Sequence, residues 1–198
     1  MRITVFGATG MIGSRIAAEL RGRGHDVVGV SRATGADVSD PASVAATASG
    51  SDAIVAAIST RDHSDYTYAD VARSLAEGAR RCGIDRLVVV GGAASLEVAP
   101  GVRLLDTPEF PAEWKDEAGA LADALDVYRT VDDLDWTFVS PAAYIHPGER
   151  TGRYRLGGDQ LLVDENGKSE ISAEDYAIAL ADLVEQGSHA RERVTAAW

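Results

Sequence analysis

Seven residues near the N-terminus, Gly7-Ala8-Thr9-Gly10-Met11-Ile12-Gly13, limit what this chain can become more than any other stretch. They follow the apolar run Ile3-Thr4-Val5-Phe6 directly and open a segment in which Ile12, Ile16 and Leu20 share one helical face. Strand, glycine turn and helix in that order form the context in which a dinucleotide is held. Each glycine meets a separate demand. Gly7 lets the chain turn sharply out of the strand. Gly10 has no Cβ, so a pyrophosphate can approach the main chain, and Gly13 lets the helix lie close on the sheet. The free N–H groups at the helix start, around Thr9, Met11 and Ile12, then meet a negative charge, helped by the helix dipole. The spacing is Gly-x-x-Gly-x-x-Gly rather than Gly-x-Gly-x-x-Gly, and the position after the first strand makes it specific.

Strand and helix patterns alternate through most of the 198 residues, which read as one domain. Strands are expected over 2–6, 26–30, 36–38 (very short), 52–58, 85–90 and 135–140. Helices are expected over 11–23, from Pro41, over 66–81, and from about Pro111 to 131. Asp40 before Pro41 reads as a helix cap. The segment 98–111, with Pro100, Pro108 and Pro111, reads as a long irregular loop of the kind that is often functional. After residue 140 the rhythm changes. Two short strands, 153–156 and 160–163, flank Gly157-Gly158-Asp159. Asn166-Gly167 marks a second turn. Ser172 caps a last helix over 173–186 with Asp175 in capping-box spacing, and 193–197 forms an edge strand. The expected fold is α/β: a Rossmann-type doubly wound parallel sheet with helices on both faces and a small C-terminal hairpin or lid.

Cofactor choice is written at the end of the second strand, where Ser31-Arg32 stands nineteen positions beyond Gly13. An acid here would take a ribose 2′-hydroxyl; arginine favours a 2′-phosphate. Arg32 offers a planar, permanently charged fork and Ser31 a hydroxyl donor, so NADP(H) is expected over NAD, with NAD still possible. Asp37, with Val38 beside it, is within reach of the adenine edge. Ala57, Ile58 and Ser59 close the next strand at the carboxyl edge of the sheet, where small residues let a flat cofactor pass; packing alone would explain the alanine equally well.

A net charge of −12 opposes binding to nucleic acid, so an anionic ligand must be held by local features. No stretch is apolar enough to span a membrane, and the chain enters a strand at once with no visible signal peptide. The lone Cys82, read as a packed thiol, excludes an internal disulfide and fits a reducing, cytoplasmic setting. His25, His63, His146 and His189 show no metal-ligand spacing, so no metal is expected. All of the 19 basic residues except Lys115 and Lys168 are arginine, which singles out each lysine.

With Gly-Ala-Thr-Gly-Met-Ile-Gly, Val30-Ser31-Arg32, the run Val90-Gly-Gly-Ala-Ala-Ser-Leu96, Asp106-Thr-Pro-Glu-Phe-Pro111, Ser140-Pro-Ala-Ala143 and Ile171-Ser-Ala-Glu-Asp-Tyr176, the chain resembles an atypical short-chain dehydrogenase/reductase. Within that superfamily it is similar to the small NAD(P)H-binding group that includes biliverdin-IXβ/flavin reductase and bacterial quinone-reductase-like proteins. The resemblance covers essentially the whole chain. It implies that Ser95 helps polarise a substrate oxygen, unless it merely caps a turn. It also implies that the backbone at Pro141-Ala142-Ala143 meets the nicotinamide carboxamide. Lys115 lies on the helix that carries the superfamily's lysine, as an electrostatic contact or a solvated side chain. Tyr144 and His146 either overhang the nicotinamide or pack as a lid.

The superfamily's Tyr-x-x-x-Lys pair is missing: none of the six tyrosines is followed four residues later by lysine. A reaction that must protonate an alkoxide lacks its usual acid. A flavin or quinone relaxes that need, because its ring is already electron-poor and water can bring the second proton. The expected activity is NADPH-dependent hydride transfer to such a flat acceptor, by a monomer or homodimer. The alternatives are a non-catalytic NADP(H)-binding redox sensor and, more remotely, a sugar-nucleotide epimerase or dehydratase.

Overall fold

The computed structural model describes residues 1–60 and 65–198; His63 lies outside them. In chain order the elements are β1 (Arg2–Phe6), α1 (Met11–Gly22), β2 (Asp26–Val30), α2 (Pro41–Ala48), β3 (Ala53–Ala56), α3 (Tyr68–Cys82) and β4 (Arg86–Val90). An antiparallel pair, β5 (Glu97–Ala99) and β6 (Val102–Arg103), precedes α4 (Lys115–Arg129) and β7 (Asp135–Pro141). The remainder runs β8 (Tyr144–His146), β9 (Arg155–Gly157), β10 (Glu170–Ser172), α5 (Ala173–Gln186) and β11 (Glu192–Ala197).

One seven-stranded sheet has the order β2-β1-β3-β4-β7-β11-β9. Its neighbours are parallel except β9, which runs antiparallel to β11. Parallel neighbours need helical crossovers, and a parallel sheet must be covered on both faces. Alternation along the strands supplies both layers. Ile3, Val5 and Val55 point into a core with Ile16 and Leu20 of α1 and Leu180 of α5. Phe6, Ile54 and Ala56 point into the opposite core, against Leu75 of α3 and Tyr128 of α4. The chain leaves β1 for β2 on one side and returns to β3 on the other. The carboxyl ends of β1 and β3 therefore flank a crevice where the strand order reverses, the ligand position of such sheets.

Helix starts follow local chemistry. Asp40 accepts from the N–H groups of Ala42 (2.9 Å) and Ser43 (3.3 Å) ahead of α2. Thr67 and Asp70 cap α3 reciprocally. Ser172 accepts from the Asp175 N–H at 3.0 Å ahead of α5. Arg86 is buried and donates to the Thr137 hydroxyl (2.7 Å) and to the Leu183 carbonyl (2.6 Å), tying β4 to β7 and to the last turns of α5. Cys82 is half-buried at the end of α3 beside the core, and burial pushes its thiol up.

Several expected elements differ. Residues 36–38 form no strand. The Asp37 N–H donates to the Ser43 hydroxyl, and the Asp37 carboxylate accepts from the Ser39 N–H and hydroxyl at 2.8 and 2.6 Å, so side chains bend the segment away from the edge of β2. The loop 98–111 holds most of the β5–β6 pair and one 3-10 turn, Leu104–Asp106; a second, Ala112–Trp114, takes the place of the expected first turn of α4. Residues 153–156 and 160–163 do not pair with each other: β9 joins β11, while Gln160 bridges Glu97. The final strand is internal, between β7 and β9. The Asp175 carboxylate does not close a capping box. It is fully buried and accepts from Thr151 Oγ1 (2.5 Å), the Gly152 N–H (2.9 Å) and Trp198 Nε1 (2.8 Å).

Candidate functional site

The crevice at the carboxyl ends of β1, β2 and β3 is a cleft of about 530 Å³. Gly7, Thr9 and Gly10 form its floor, with Ala57, Ile58 and Ser59 on one wall and Ser31, Arg32, Asp37 and Val38 on the other. Gly7 has φ +82°, and a Cβ there would stand 2.0 Å from the Ala57 carbonyl oxygen. Its N–H and that of Ala8 donate to the Val30 carbonyl at 2.9 and 3.0 Å, which sews the loop to the end of β2. Gly10 differs. Its φ of −72° and ψ of 169° suit any residue, and the nearest atom to an added Cβ is the Gly7 oxygen at 3.4 Å. Neither backbone nor neighbours require glycine at position 10; open space above the loop is what it preserves. Helix α1 has no side-chain cap and no acid in its first turn, whereas α3 and α5 carry both. Its first N–H groups thus present an uncompensated positive end to the cleft.

On the opposite wall the chain turns through Arg32–Thr34, closed by the Thr34 N–H donating to the Ser31 carbonyl at 3.0 Å and by Gly35 at φ +78°. That turn lifts the exposed Arg32 to the rim. Tyr66 also lines this end, and burial, followed by the Asp37 charge, pushes its phenol up.

A second cleft, of about 230 Å³, opens between the end of β4 and α4. Gly92, Ala93, Ala94 and Ser95 form one side, and Phe110, Trp114, Glu117 and Leu121 the other, with Ala143 at its edge. Glycine is tightly required at position 91, where a Cβ would lie 2.1 Å from the buried Phe138 ring; at Gly92 a Cβ would meet the tip of Leu121 at 2.6 Å, which must shift. Trp114 leaves 58% of its surface exposed. The Ser95 hydroxyl and carbonyl accept from Arg193 Nη1 at 2.9 and 3.1 Å. The two clefts meet chemically at Tyr68, whose hydroxyl lies 3.2 Å from Glu117 Oε1 in the second cleft and 3.5 Å from Ser59 Oγ in the first.

Not every expected residue lines a cleft. Met11 is exposed at the helix start, while Ile12 packs partly buried against the α1–α5 core. Gly13 is buried, and its lack of Cβ serves the close contact with Gly7. Of the expected segment 141–143, Pro141 and Ala142 are buried at the end of β7 and Ala143 reaches the second cleft. Lys115 is exposed at the start of α4 and lies outside the lining that its neighbours Trp114 and Glu117 supply. Tyr144 stacks on His146 with ring centroids 4.9 Å apart on the small parallel pair β8–β10. Sequence reasoning missed Tyr66, Tyr68, Trp114, Glu117 and Arg193. Tyr66 and Trp114 sit beside singled-out segments and carry aromatic surface, which was a usable signal. Nothing in the sequence ties Arg193 to a serine 98 residues earlier.

Among the described residues no group of three or more His, Cys, Asp or Glu side chains is arranged to hold a metal, and no helix is long and apolar enough to cross a membrane.

A family model described as NAD(P)H-binding matches residues 32–187. Three solved structures are similar over the whole chain. A "putative exported protein" from Burkholderia pseudomallei is 50% identical, with 100% of both chains covered and a TM-score of 0.91. A "putative epimerase" from Bacteroides thetaiotaomicron is 37% identical, with 100% of this chain and 96% of that one covered and a TM-score of 0.92. SP1627, a "putative NADH-flavin reductase" from Streptococcus pneumoniae, is 35% identical, with 100% and 99% covered and a TM-score of 0.87.

Proposed function

Because this chain belongs to the NAD(P)H-binding family, we propose that it is an NADPH-dependent reductase that passes hydride to a flat conjugated acceptor, a flavin or a quinone. The observation that carries the cofactor half is the first cleft. Its floor is bare main chain at Gly10, beneath the uncapped start of α1, and its far rim carries Arg32. In this reading the loop 7–13 holds the pyrophosphate. Arg32 and Ser31 take the 2′-phosphate. Asp37, Val38 and Tyr66 border the adenine end, and Ala57, Ile58 and Ser59 lead toward the second cleft. The cofactor, once bound, supplies the hydride.

The protein's remaining task is to orient an acceptor and exclude water from it. The second cleft suits a flat ring: its walls are mainly alanine, leucine and aromatic side chains, with the Ser95 hydroxyl as a polar handle. An electron-poor ring that takes its last proton from water does not need the missing tyrosine. The test is NADPH oxidation followed with a panel of flavins and quinones. We expect turnover well above the protein-free rate, lowered by Ser95→Ala with cofactor binding unchanged. No acceptor exceeding the protein-free rate would end this reading.

One observation favours a second reading, a redox sensor that binds NADP(H) without turnover: the exposed Lys115 stands outside the second cleft. Equal affinity for reduced and oxidised cofactor, together with a co-purifying partner, would select it.

A further inference from the structure

Arg193 lies on β11, opposite Phe138 of β7, and its side chain is only 5% exposed. It is held from one side by Asp159, which accepts from Nε at 2.7 Å and also pairs with Nη2. On the other side Nη1 reaches both oxygens of Ser95, at 2.9 Å to the hydroxyl and 3.1 Å to the carbonyl. A guanidinium has donors and no acceptor, so at this contact the serine oxygen must accept. The Ser95 hydrogen is then left to point away from Arg193, and Ser95 is among the residues that line the second cleft. A hydroxyl that accepts from a buried cation is also a stronger donor, because each bond polarises the next.

We propose that Arg193 is the positioning residue of the acceptor site: by donating to Ser95 Oγ it turns the serine hydrogen toward the acceptor atom that gains negative charge. The proposal rests on the reading of the second cleft as the acceptor site. For a quinone, adding hydride to the ring gives the hydroquinone monoanion; one proton from water then completes the hydroquinone, while NADPH becomes NADP⁺. Ser95 meets the oxygen that is anionic between those two additions. The Asp159 carboxylate offsets the Arg193 charge, so the effect reaches the acceptor through the serine hydroxyl.

The test uses 4-nitrophenol, a flat ring whose coloured anion imitates that oxygen, titrated by absorbance with the intact protein and its cofactor. Wild-type protein is expected to bind the anion about tenfold more tightly than the neutral phenol, lowering the apparent ionisation pH by roughly one unit. Ser95→Ala and Arg193→Lys should each remove most of this preference. The double variant should lose no more than Ser95→Ala alone, because Arg193 acts through Ser95. Arg193→Gln, which keeps a donor on a similar stem, is the second variant should the lysine chain not fold, and it is expected to show the same dependence on Ser95. Losses that add in the double variant, or no anion preference in the wild type, would overturn the proposal. NADPH-dependent quinone reduction is followed separately on the same proteins. Its absence with an intact nitrophenol cycle would sink the reductase reading and leave the Arg193–Ser95 coupling standing.

Discussion

Gly13 packs so closely on Gly7 that a Cβ added to Gly13 would stand 2.1 Å from the Gly7 carbonyl oxygen. The same loop leaves 3.4 Å above Gly10. Three glycines of one motif therefore answer to different forces, and substitution should separate them. Gly7→Ala and Gly13→Ala push a methyl into backbone and should cost about 1–3 kcal/mol of stability. Gly10→Ala should change stability by less than about 1 kcal/mol while weakening NADPH binding about tenfold or more. Urea denaturation and cofactor titration on the three variants check this. Equal loss of stability in all three would contradict it.

Arg32 is exposed at the cleft rim, outside both cores, so its replacement should leave the fold intact. Arg32→Asp should lower NADPH affinity by about 10- to 100-fold, the equivalent of one lost charge-assisted contact, and shift preference toward NADH. Fluorescence titration with both cofactors measures the ratio. An unchanged ratio would remove Arg32 from the cofactor site.

Asp175 gathers the 151–152 loop and the C-terminal Trp198 onto the start of α5 through three donors. Asp175→Ala would remove the fully buried acceptor that these three donors share and should cost about 2–3 kcal/mol. The damage should be local at first. Limited proteolysis is expected to cut near residues 150–153 before the main sheet is attacked, and a digestion pattern like that of the wild type would refute the anchoring role.

His146 has an oxygen on each ring nitrogen: the Pro147 carbonyl at 2.9 Å from Nδ1 and Glu170 Oε1 at 2.9 Å from Nε2. The Pro147 contact foremost, then Glu170, raises its pKa above the ordinary imidazole value of 6.5, with desolvation opposing. A pKa raised by folding means that the folded state holds the proton more tightly. The contribution to stability is then full below the unfolded pKa and fades as pH rises through the folded one. The β8–β10 pair should loosen as pH rises past the ordinary imidazole value. Proton NMR of the imidazole should show the raised pKa, and His146→Gln should flatten the pH dependence of the melting temperature above pH 6.5. A His146 that titrates below the ordinary value would reverse the argument.

The doubly wound sheet could be read in advance because its causes are local. Apolar runs such as Ile3–Phe6 and Leu87–Val90 fit strands buried on both faces. Asp40-Pro41 and Ser172 announce helix starts by bonds that reach only two or three residues. The glycine loop and Arg32 were legible for the same reason: a turn, a strand end and a charge follow one another in the chain. The failures share the opposite cause. Residues 36–38 have strand composition, yet Asp37, Ser39 and Ser43 satisfy each other first. Strand β9 looked like half of a hairpin, but its ladder partner was β11, about forty residues away by register of Leu156 with Ala196.

The order of residues was thus enough to specify alternating strands and helices, a glycine turn after the first strand and an arginine after the second, since those depend on periodicity and on side chains a few positions apart. Three-dimensional folding alone brought Arg193 to Ser95, Tyr68 to both Ser59 and Glu117, and Trp198 to Asp175. Hydrogen bonds between distant segments depend on which faces the packed layers turn toward each other. That is settled only when the whole apolar surface is buried at once, and no short window of sequence carries it.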